Sequence, residues 1–384
     1  MIKRMIQMSK EYITLHHIKL YQPTNRKRAE LNKLSNNWNK AIRSALKIVK
    51  HWGFTSYTRS HKEVYRVLRN NYNLPSQVAA EANRKAIESY KSCNKKFRNN
   101  IKFNYQAPVD LVKDKSFKLI RKGNGTNIIK INIEPYNNVY IPICLSEYHL
   151  NYLNNNKYSL KTAELYKQNG EWYLNFVVSY EVNIKETNSY MGVDLGIINL
   201  ATISVISDKE TILHTEHLSG KELRFKRMRY KDKRKSLSKK SDSIKTTLIA
   251  ENRITKETNW LIANKIIKIA KKYNSTIVFE DLKNIRKNIT TNNSLNNYEK
   301  NSWAYYQLKQ FVKHKANLNN LPVIDVKAYN TSQKCHVCSH KGLRETQDLF
   351  ECPNGHKFNA DTNASINIAK LGKNKYNDLI DKTA

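Results

Sequence analysis

The sequence predicts an α+β multidomain protein: an N-terminal antiparallel β-barrel with a helical insert, then an α/β domain interrupted by a cysteine ribbon. Three observations predict it. Residues 101–185 alternate with period two around Asn-Gly turns, the strongest short-range hairpin signal. Residues 27–100 repeat apolar positions at three- and four-residue steps, as an amphipathic helix does. Beyond residue 188, apolar strands alternate with long helical stretches, the pattern of a partly parallel sheet.

Residues 11–20 alternate well enough for a first strand, which the segment 22–26 breaks before offering a helix start. Leu31, Leu34, Trp38, Ala41 and Ala45 then draw one stripe. Asn73, Leu74 and Pro75 separate a second helical stretch through Val78, Ala82, Ala86 and Tyr90. Lys and Arg occupy the opposite faces, with Tyr57, Tyr65, Tyr72 and Tyr90 among them, a mixture suited to backbone tracking and base stacking or to a solvated helix over a tyrosine-lined core. Strands are predicted at 116–122, 127–133, 138–144, 160–167 and 171–182, closing a small barrel or sandwich that the helices interrupt after its first strand.

In the second half, strands fall at 190–195, 199–206 and 211–216, helices at 221–240 and 245–272, and a further strand at 275–280. The stretch 284–301 holds seven asparagines without a clear period and reads as a mobile lid, with a disordered loop as the alternative. Helix 303–318 and strand 322–328 lead to the cysteines; a last helix starts near 361, and the final dozen residues read as a tail.

Composition narrows the partners. Lys plus Arg outnumber Asp plus Glu by 68 to 32, a net charge of +36, which makes a polyanion, and nucleic acid first, the expected companion. No apolar run approaches the ~18 residues a transmembrane helix needs, and the first residues lack a signal-peptide core, so no membrane partner and a cytoplasmic location are expected. Five cysteines, three of them clustered, argue against a disulfide framework. Cys93 and Cys144 read as ordinary buried or semi-buried thiols. Positions 221–240 carry eleven Lys or Arg against two acids, and Lys221, Arg224, Arg227, Arg229, Lys233 and Arg234 read as a phosphate-facing helix.

In so basic a chain, three acids stand out. Asp194 lies in a strand that ends in Gly196, where the chain must turn sharply. Glu280 ends the apolar run 276–279, suited to burial on both faces. Asp361 stands at the start of the last helix, where the helix dipole favours negative charge. Two adjacent strands and a helix start can bring three carboxylates to one point, the ligand set that holds divalent metal against a phosphodiester. Asp281 falls on the other side of its strand and is left out.

Cys335-x-x-Cys338, followed fourteen residues later by Cys352, is a strong zinc signal. His356 is the leading fourth ligand, ahead of His340 and His336, in a closed and therefore structural Cys₃His site; a metal-free, degenerate ribbon is the alternative.

The order strand–Asp, hairpin, helices, strand–Glu, helix, strand, cysteine ribbon, Asp–helix resembles the RuvC-like, RNase H-like nuclease domain of the TnpB family. These are transposon-encoded, RNA-guided endonucleases related to compact type V CRISPR effectors. The resemblance is most specific over 190–368: residues 192–200 look like the first RuvC segment, 278–282 like the second, 331–338 like the start of the ribbon and 361–368 like the third segment. The family's ribbon closes with Cys-x-x-Cys, whereas here Gly355 stands where the fourth cysteine belongs.

What the resemblance implies is a wedge-type barrel (1–25 and 101–187), a helical recognition insert (26–100), a RuvC-like domain (188–334 and 361–384) and a zinc ribbon (335–360). It further implies two Mg²⁺ ions, replaceable by Mn²⁺, on Asp194, Glu280 and Asp361, a structural Zn²⁺, and a guide RNA and target double-stranded DNA as partners of a monomer or weak dimer. The expected activity is RNA-guided cleavage of DNA. A guide-dependent repressor without cleavage and a guide-independent nuclease or resolvase are the alternatives.

Overall fold

The structure, a computed structural model, describes residues 10–123, 125–237, 242–281, 304–327, 330–344, 346 and 348–381. The stretch 284–301, expected as a lid, lies outside the described residues, as does the N-terminal segment 1–9. Among the described residues no helix is long and apolar enough to cross a membrane. The chain forms two compact units, Lys10–Glu181 and Val182 onward.

In the first unit, β1 (Lys10–Leu20) is followed by three helices, α1 (Asn25–Trp52), α2 (Tyr57–Tyr72) and α3 (Ser76–Ser92). Thr24 caps α1 by accepting from the Lys27 backbone N–H, and Gly53 ends it in the left-handed conformation. Asn73 ends α2 in the same way, just before Pro75. The stripe Leu31, Leu34, Trp38, Ala41 and Ala45 is fully buried. Six more strands follow: β2 (Val109–Val112), β3 (Phe117–Arg121), β4 (Asn127–Glu134), β5 (Asn137–Cys144), β6 (Ser159–Gln168) and β7 (Glu171–Glu181), with α4 (Glu147–Leu153) before β6.

The strand order is β2-β6-β7-β1-β5-β4-β3, antiparallel throughout. Its two end strands are consecutive in sequence, and Ser116 in their connection ties β2 to β4: its hydroxyl accepts from Val112 N (2.7 Å) and its carbonyl from Asn132 N (3.0 Å). The sheet therefore curls nearly shut around Leu15, Ile18, Leu111, Phe117, Ile131, Leu165, Leu174 and Phe176. Strand β2 and helix α4 carry too few periodic residues to read from sequence. Cys144, expected to be at least half buried, is exposed, because alternation along β5 turns it outward.

The second unit is built on a five-stranded sheet of order β10-β9-β8-β11-β12. Its strands are β8 (Ser189–Asp194), β9 (Asn199–Ser207), β10 (Ile212–Ser219), β11 (Ser275–Glu280) and β12 (Val323–Val326). The adjacent strands β8, β11 and β12 are parallel, with β12 at the edge, while β9 and β10 run antiparallel to their neighbours. Among the described residues four helices accompany it: α5 (Lys221–Lys235), α6 (Asp242–Lys272), α7 (Tyr305–Leu318) and α8 (Ala360–Asp381). A small antiparallel ribbon, β13 (Leu343–Arg344), β14 (Leu349–Glu351) and β15 (Lys357–Asn359), precedes α8.

Alternation sorts the sheet's two faces. Odd-numbered Met191, Val193, Ile277 and Phe279 pack with Ile262 and Ile266 of α6 and Leu308 and Val312 of α7. Even-numbered Tyr190, Ile206 and Val278 pack with Ile366, Ile368 and Ala369 of α8. Asp194 and Glu280 have even numbers, so they lie on the face that α8 covers.

The expected C-terminal tail is a correction. Helix α8 continues to Asp381, because Tyr376 buries its ring against Tyr190 (centroids 5.8 Å apart) and Lys370 and Lys373 pair with Glu210 at 2.8 and 3.2 Å. These anchors are spaced by three residues and lie one turn apart.

Candidate active site

Asp194 and Glu280 are the last residues of adjacent parallel strands. Val193 pairs with Phe279, so the next residue of each strand projects from the same end of the sheet on the same face. The carboxyl ends of parallel strands are where open α/β sheets bind ligands. Asp361 reaches this point from the other layer, in the first turn of α8, whose start is capped by Asn359: that side chain accepts from the N–H groups of Asp361 and Thr362, each at 3.1 Å.

The three carboxylates act on one another. Burial pushes the Asp194 carboxyl from its ordinary 3.8 up to about 7, with the charges of Glu280 and Asp361 adding to the rise and Arg344 opposing it. Glu280 is also raised, by burial, against a hydrogen bond donated by the Thr331 hydroxyl. Asp361 has two partners: Asn199 Nδ2 donates to Oδ2 at 3.0 Å, and the Arg344 guanidinium meets Oδ1 at 2.9 Å. The structure thus brings Asp194, Glu280 and Asp361 into one electrostatic site.

Arg344, Asn199 and Thr331 escape a reading of the sequence. Arg344 lies on a two-residue strand of the ribbon with no periodic signal, and only the antiparallel ribbon turns it toward the carboxylates. Lys309 of α7 braces the same corner: its ammonium donates to the Glu280 backbone carbonyl at 3.0 Å and pairs with Asp325 at 3.0 Å.

The ribbon places Cys335, Cys338, Cys352 and His356 together, with their ligand atoms all within 4.8 Å of one another. His356 Nδ1 stands 3.3 Å from Cys352 Sγ and 3.8 Å from Cys335 Sγ, and Cys338 Sγ stands 3.7 Å from Cys352 Sγ. His340 is turned away to the Cys338 carbonyl, and His336 is buried on Asn363. The His340 backbone N–H lowers the Cys338 thiol to about 7, while burial raises Cys335. Three sulfurs and one imidazole at these spacings are a donor set consistent with structural zinc, with no open position for chemistry.

One face of α8 holds the ribbon by its backbone. Asn363 Nδ2 donates to Lys334 O at 2.7 Å, Asn367 Nδ2 to Thr331 O at 2.8 Å, and Lys370 Nζ to His336 O at 2.9 Å. Steps of four and three residues put these donors on one stripe. Thr331, so held, presents its hydroxyl to Glu280.

The basic helix α5 divides. Lys221, Arg224, Arg229 and Lys233 are exposed. Arg227 and Arg234, expected to face phosphates, turn inward to α6 and share Glu251: Arg227 Nε lies 3.1 Å from one oxygen and Arg234 Nη1 2.5 Å from the other. The correction is physical, since a carboxylate buried on a neighbouring helix competes with solvent for any cation on the facing stripe.

Comparison with known proteins adds the following. The family description "Cas12f1-like, TNB domain" matches residues 305–368. The chain is 24% identical over 353 residues to a CRISPR-associated endodeoxyribonuclease Cas12f1 of Sulfoacidibacillus thermotolerans, covering 82% of this chain and 81% of that protein. It is 27% identical over 198 residues to the TnpB-like protein MJ0751 of Methanocaldococcus jannaschii, covering 49% of this chain and 71% of the relative. Among solved structures, a Cas12f1-sgRNA-target DNA complex matches with a TM-score of 0.62 at 17% identity, covering 89% of this chain and 81% of that one, which is a likeness of fold.

Proposed function

We propose that this chain, a TnpB-family protein, is an RNA-guided DNA endonuclease with a single hydrolytic site formed by Asp194, Glu280 and Asp361 at one end of its mixed sheet. The observation that carries this is the convergence of three acids, with Asp194 and Glu280 ending adjacent parallel strands and Asp361 in the first turn of α8. Burial and their mutual repulsion raise the Asp194 carboxyl to about 7. Buried like charges persist in a fold at a cost to stability, and they collect where a cation or a proton is used.

The donor set fits hard divalent cations, since all three side chains offer carboxylate oxygen. Two Mg²⁺ ions bound there, with Mn²⁺ as substitute, would supply activation of water and stabilisation of the leaving 3′ oxygen. The chain's own groups do the positioning. Thr331 fixes the Glu280 carboxylate, Asn199 and Arg344 fix the two oxygens of Asp361, and Lys309 holds the end of β11. Arg344 also brings a positive charge to the place where a phosphodiester would accumulate negative charge. In this reading the sheet, its helices and the ribbon form a RuvC-like nuclease domain, and the near-closed barrel with its helices forms the wedge and recognition parts.

Sequence selection is assigned to a guide RNA, and the target to double-stranded DNA; in support, the name of the Cas12f1 complex gives an sgRNA and target DNA as that protein's partners. Base pairing would read the target while the protein reads shape and a short flanking motif. Residues 10–181 hold 30 Lys and Arg against 12 Asp and Glu, so binding is expected to weaken steeply with salt. Lys221, Arg224, Arg229 and Lys233 remain the phosphate contacts of α5. The TnpB-like relative supports a gene carried by a transposon, which the flanking DNA tests.

The test is to purify the protein from its native locus, sequence any RNA that copurifies, and assay DNA matching that RNA. Cleavage that needs the RNA and a divalent ion, and vanishes in Asp194→Ala, is the expected result. RNA-dependent binding without cleavage would mark a repressor, and cleavage without RNA a guide-independent nuclease; either overturns the proposal.

A further inference from the structure

The solvent face of the first unit's sheet carries an aromatic cluster that the cleavage site does not use. Tyr166 of β6 and Tyr173 of β7 are cross-strand partners, and Lys19 of β1 faces Tyr173 from the other side. The two tyrosine rings stack, with centroids 5.8 Å apart at 24°, and both are half-buried rather than covered. The exposed His17 ring stands over their edges, 6.1 Å from Tyr173 at 88° and 6.4 Å from Tyr166 at 65°, and its Nδ1 hydrogen-bonds the Tyr166 hydroxyl at 3.0 Å.

A stacked tyrosine pair by itself serves the sheet. The histidine does not need to be there for that purpose. It arrives through a bulge between Leu15 and Ile18, in which His17 adopts a left-handed φ of 61°, a conformation unfavourable to a residue with a Cβ. The fold satisfies the backbone groups that the bulge frees: Asn175 Oδ1 accepts from His17 N at 3.2 Å, and His149 Nε2 meets the His16 carbonyl at 3.0 Å. A strained bulge with dedicated partners, aiming a planar ring at two others, is a feature that function rather than packing explains. Around it, Lys19 and Arg28 share the single carboxylate of Glu171, and Asn175 holds Glu164.

We infer that His17, Tyr166 and Tyr173 form a stacking site for an unpaired nucleobase, with Lys19 beside it for the adjoining phosphate. Flat rings on an antiparallel face within a strongly basic unit are the chemistry that single strands recognise, each base offering its π-face. The inference rests on the nucleic-acid partnership proposed above and is independent of cleavage. Guide RNA and displaced DNA strand both offer such a base.

The test uses full-length Asp194→Ala protein, so that nothing is cut, with labelled oligouridylate and oligodeoxythymidylate as probes. The double variant Tyr166→Ala/Tyr173→Ala is expected to bind at least one probe about tenfold more weakly, while Tyr166→Phe/Tyr173→Phe stays within about twofold. His17→Gly, which suits the left-handed backbone, should fall between them. A loss on RNA alone assigns the site to the guide, on DNA alone to the displaced strand, and on both to either. Unchanged affinity of the alanine double variant for both probes overturns the inference. Should that variant unfold, photo-crosslinking of a 4-thiouridine oligonucleotide to protein that retains all three rings decides: adducts on residues 17, 166 or 173 support the site, and adducts only elsewhere overturn it.

Discussion

Gly192 of β8 and Ser365 of α8 are in backbone contact: a Cβ built on the glycine would run into the Ser365 carbonyl oxygen and stand 2.6 Å from Ala369 N. The reciprocal arrangement holds one strand away, where a Cβ on Gly372 would stand 2.7 Å from Val278 Cγ1. A glycine on the strand and another on the helix thus let α8 lie unusually close to the sheet. That separation sets how far Asp361 stands from Asp194 and Glu280. Gly192→Ala is therefore expected to push the start of α8 outward, costing about 1–3 kcal/mol in urea unfolding and most of the cleavage rate. Gly123→Ala, which meets open space, should change neither.

The Asp194 carboxyl gives the fold a pH dependence with a definite sign. The native state holds this proton up to about 7, whereas the unfolded chain releases it near 3.8. Between those values the native state binds more protons, so stability without metal falls as pH rises from about 4 to 7 and stays low above. Asp194→Asn removes the penalty. At about pH 8 it should stabilise the metal-free protein by up to roughly 4 kcal/mol while abolishing cleavage. A divalent cation should stabilise the parent protein and leave the asparagine variant much less affected. Denaturant titrations with and without Mg²⁺ measure both; equal stability of the two proteins at high pH would contradict a shared carboxylate site.

The sequence made the carboxylates legible because each ends or begins a regular element, and such ends are where periodicity stops at a turn or cap. That positions 194 and 280 share a face came only with the pairing of Val193 and Phe279. The ribbon was legible through cysteine spacing, with His356 standing one residue beyond the expected fourth ligand. Arg344 and Thr331 were invisible because they act through tertiary approach from segments with no period of their own, and Asn199 because an uncharged amide at a strand start carries no signal of its partner. The inward turn of Arg227 and Arg234 was hidden for a related reason: a charge run does not reveal which members meet a buried acid on the next helix. The stacking histidine depends on a bulge, and nothing in alternating residues 11–20 marks where one will occur.

The shared carboxylate of Glu251 makes a sharp stability prediction. Two guanidiniums converge on it, with side chains of Arg227, Arg234 and Glu251 only 11%, 15% and 8% exposed. Glu251→Ala leaves two enclosed cations facing each other, at an expected cost of about 3 kcal/mol by chemical denaturation. Arg229→Ala, on the exposed side of α5, should leave stability nearly unchanged and weaken nucleic-acid binding in a salt-dependent way.

Zinc removal should silence the catalytic site without touching a carboxylate. Strand β15 runs directly into Asn359 and α8, and the ribbon backbone at Thr331, Lys334 and His336 hangs on Asn363, Asn367 and Lys370. His356→Ala or Cys352→Ser is expected to lose bound zinc by elemental analysis and to lose cleavage with it, since the metal's binding energy orders the loop. Retained cleavage in zinc-free protein would show that the carboxylates are positioned without the ribbon.

Arg344 tests whether the ribbon also contributes charge. Its guanidinium lies 2.9 Å from Asp361 Oδ1 and opposes the rise of the Asp194 carboxyl. Removing it has two consequences of different kinds. Asp361 loses an orienting partner and the site loses a cation facing the reacting phosphate, so cleavage should fall by about a hundredfold, as for loss of one preorganised donor. Asp194 also loses a neighbouring positive charge, so its carboxyl should rise further and the pH midpoint of cleavage should move upward in Arg344→Ala. Arg344→Lys keeps the charge and forfeits the planar fork, so it should restore the midpoint more fully than the rate. A purely structural arginine would lower the rate and leave the midpoint in place. The pH profile at sub-saturating Mg²⁺, where protons and metal compete for the carboxylates, measured for all three proteins, therefore separates a charged participant from a strut.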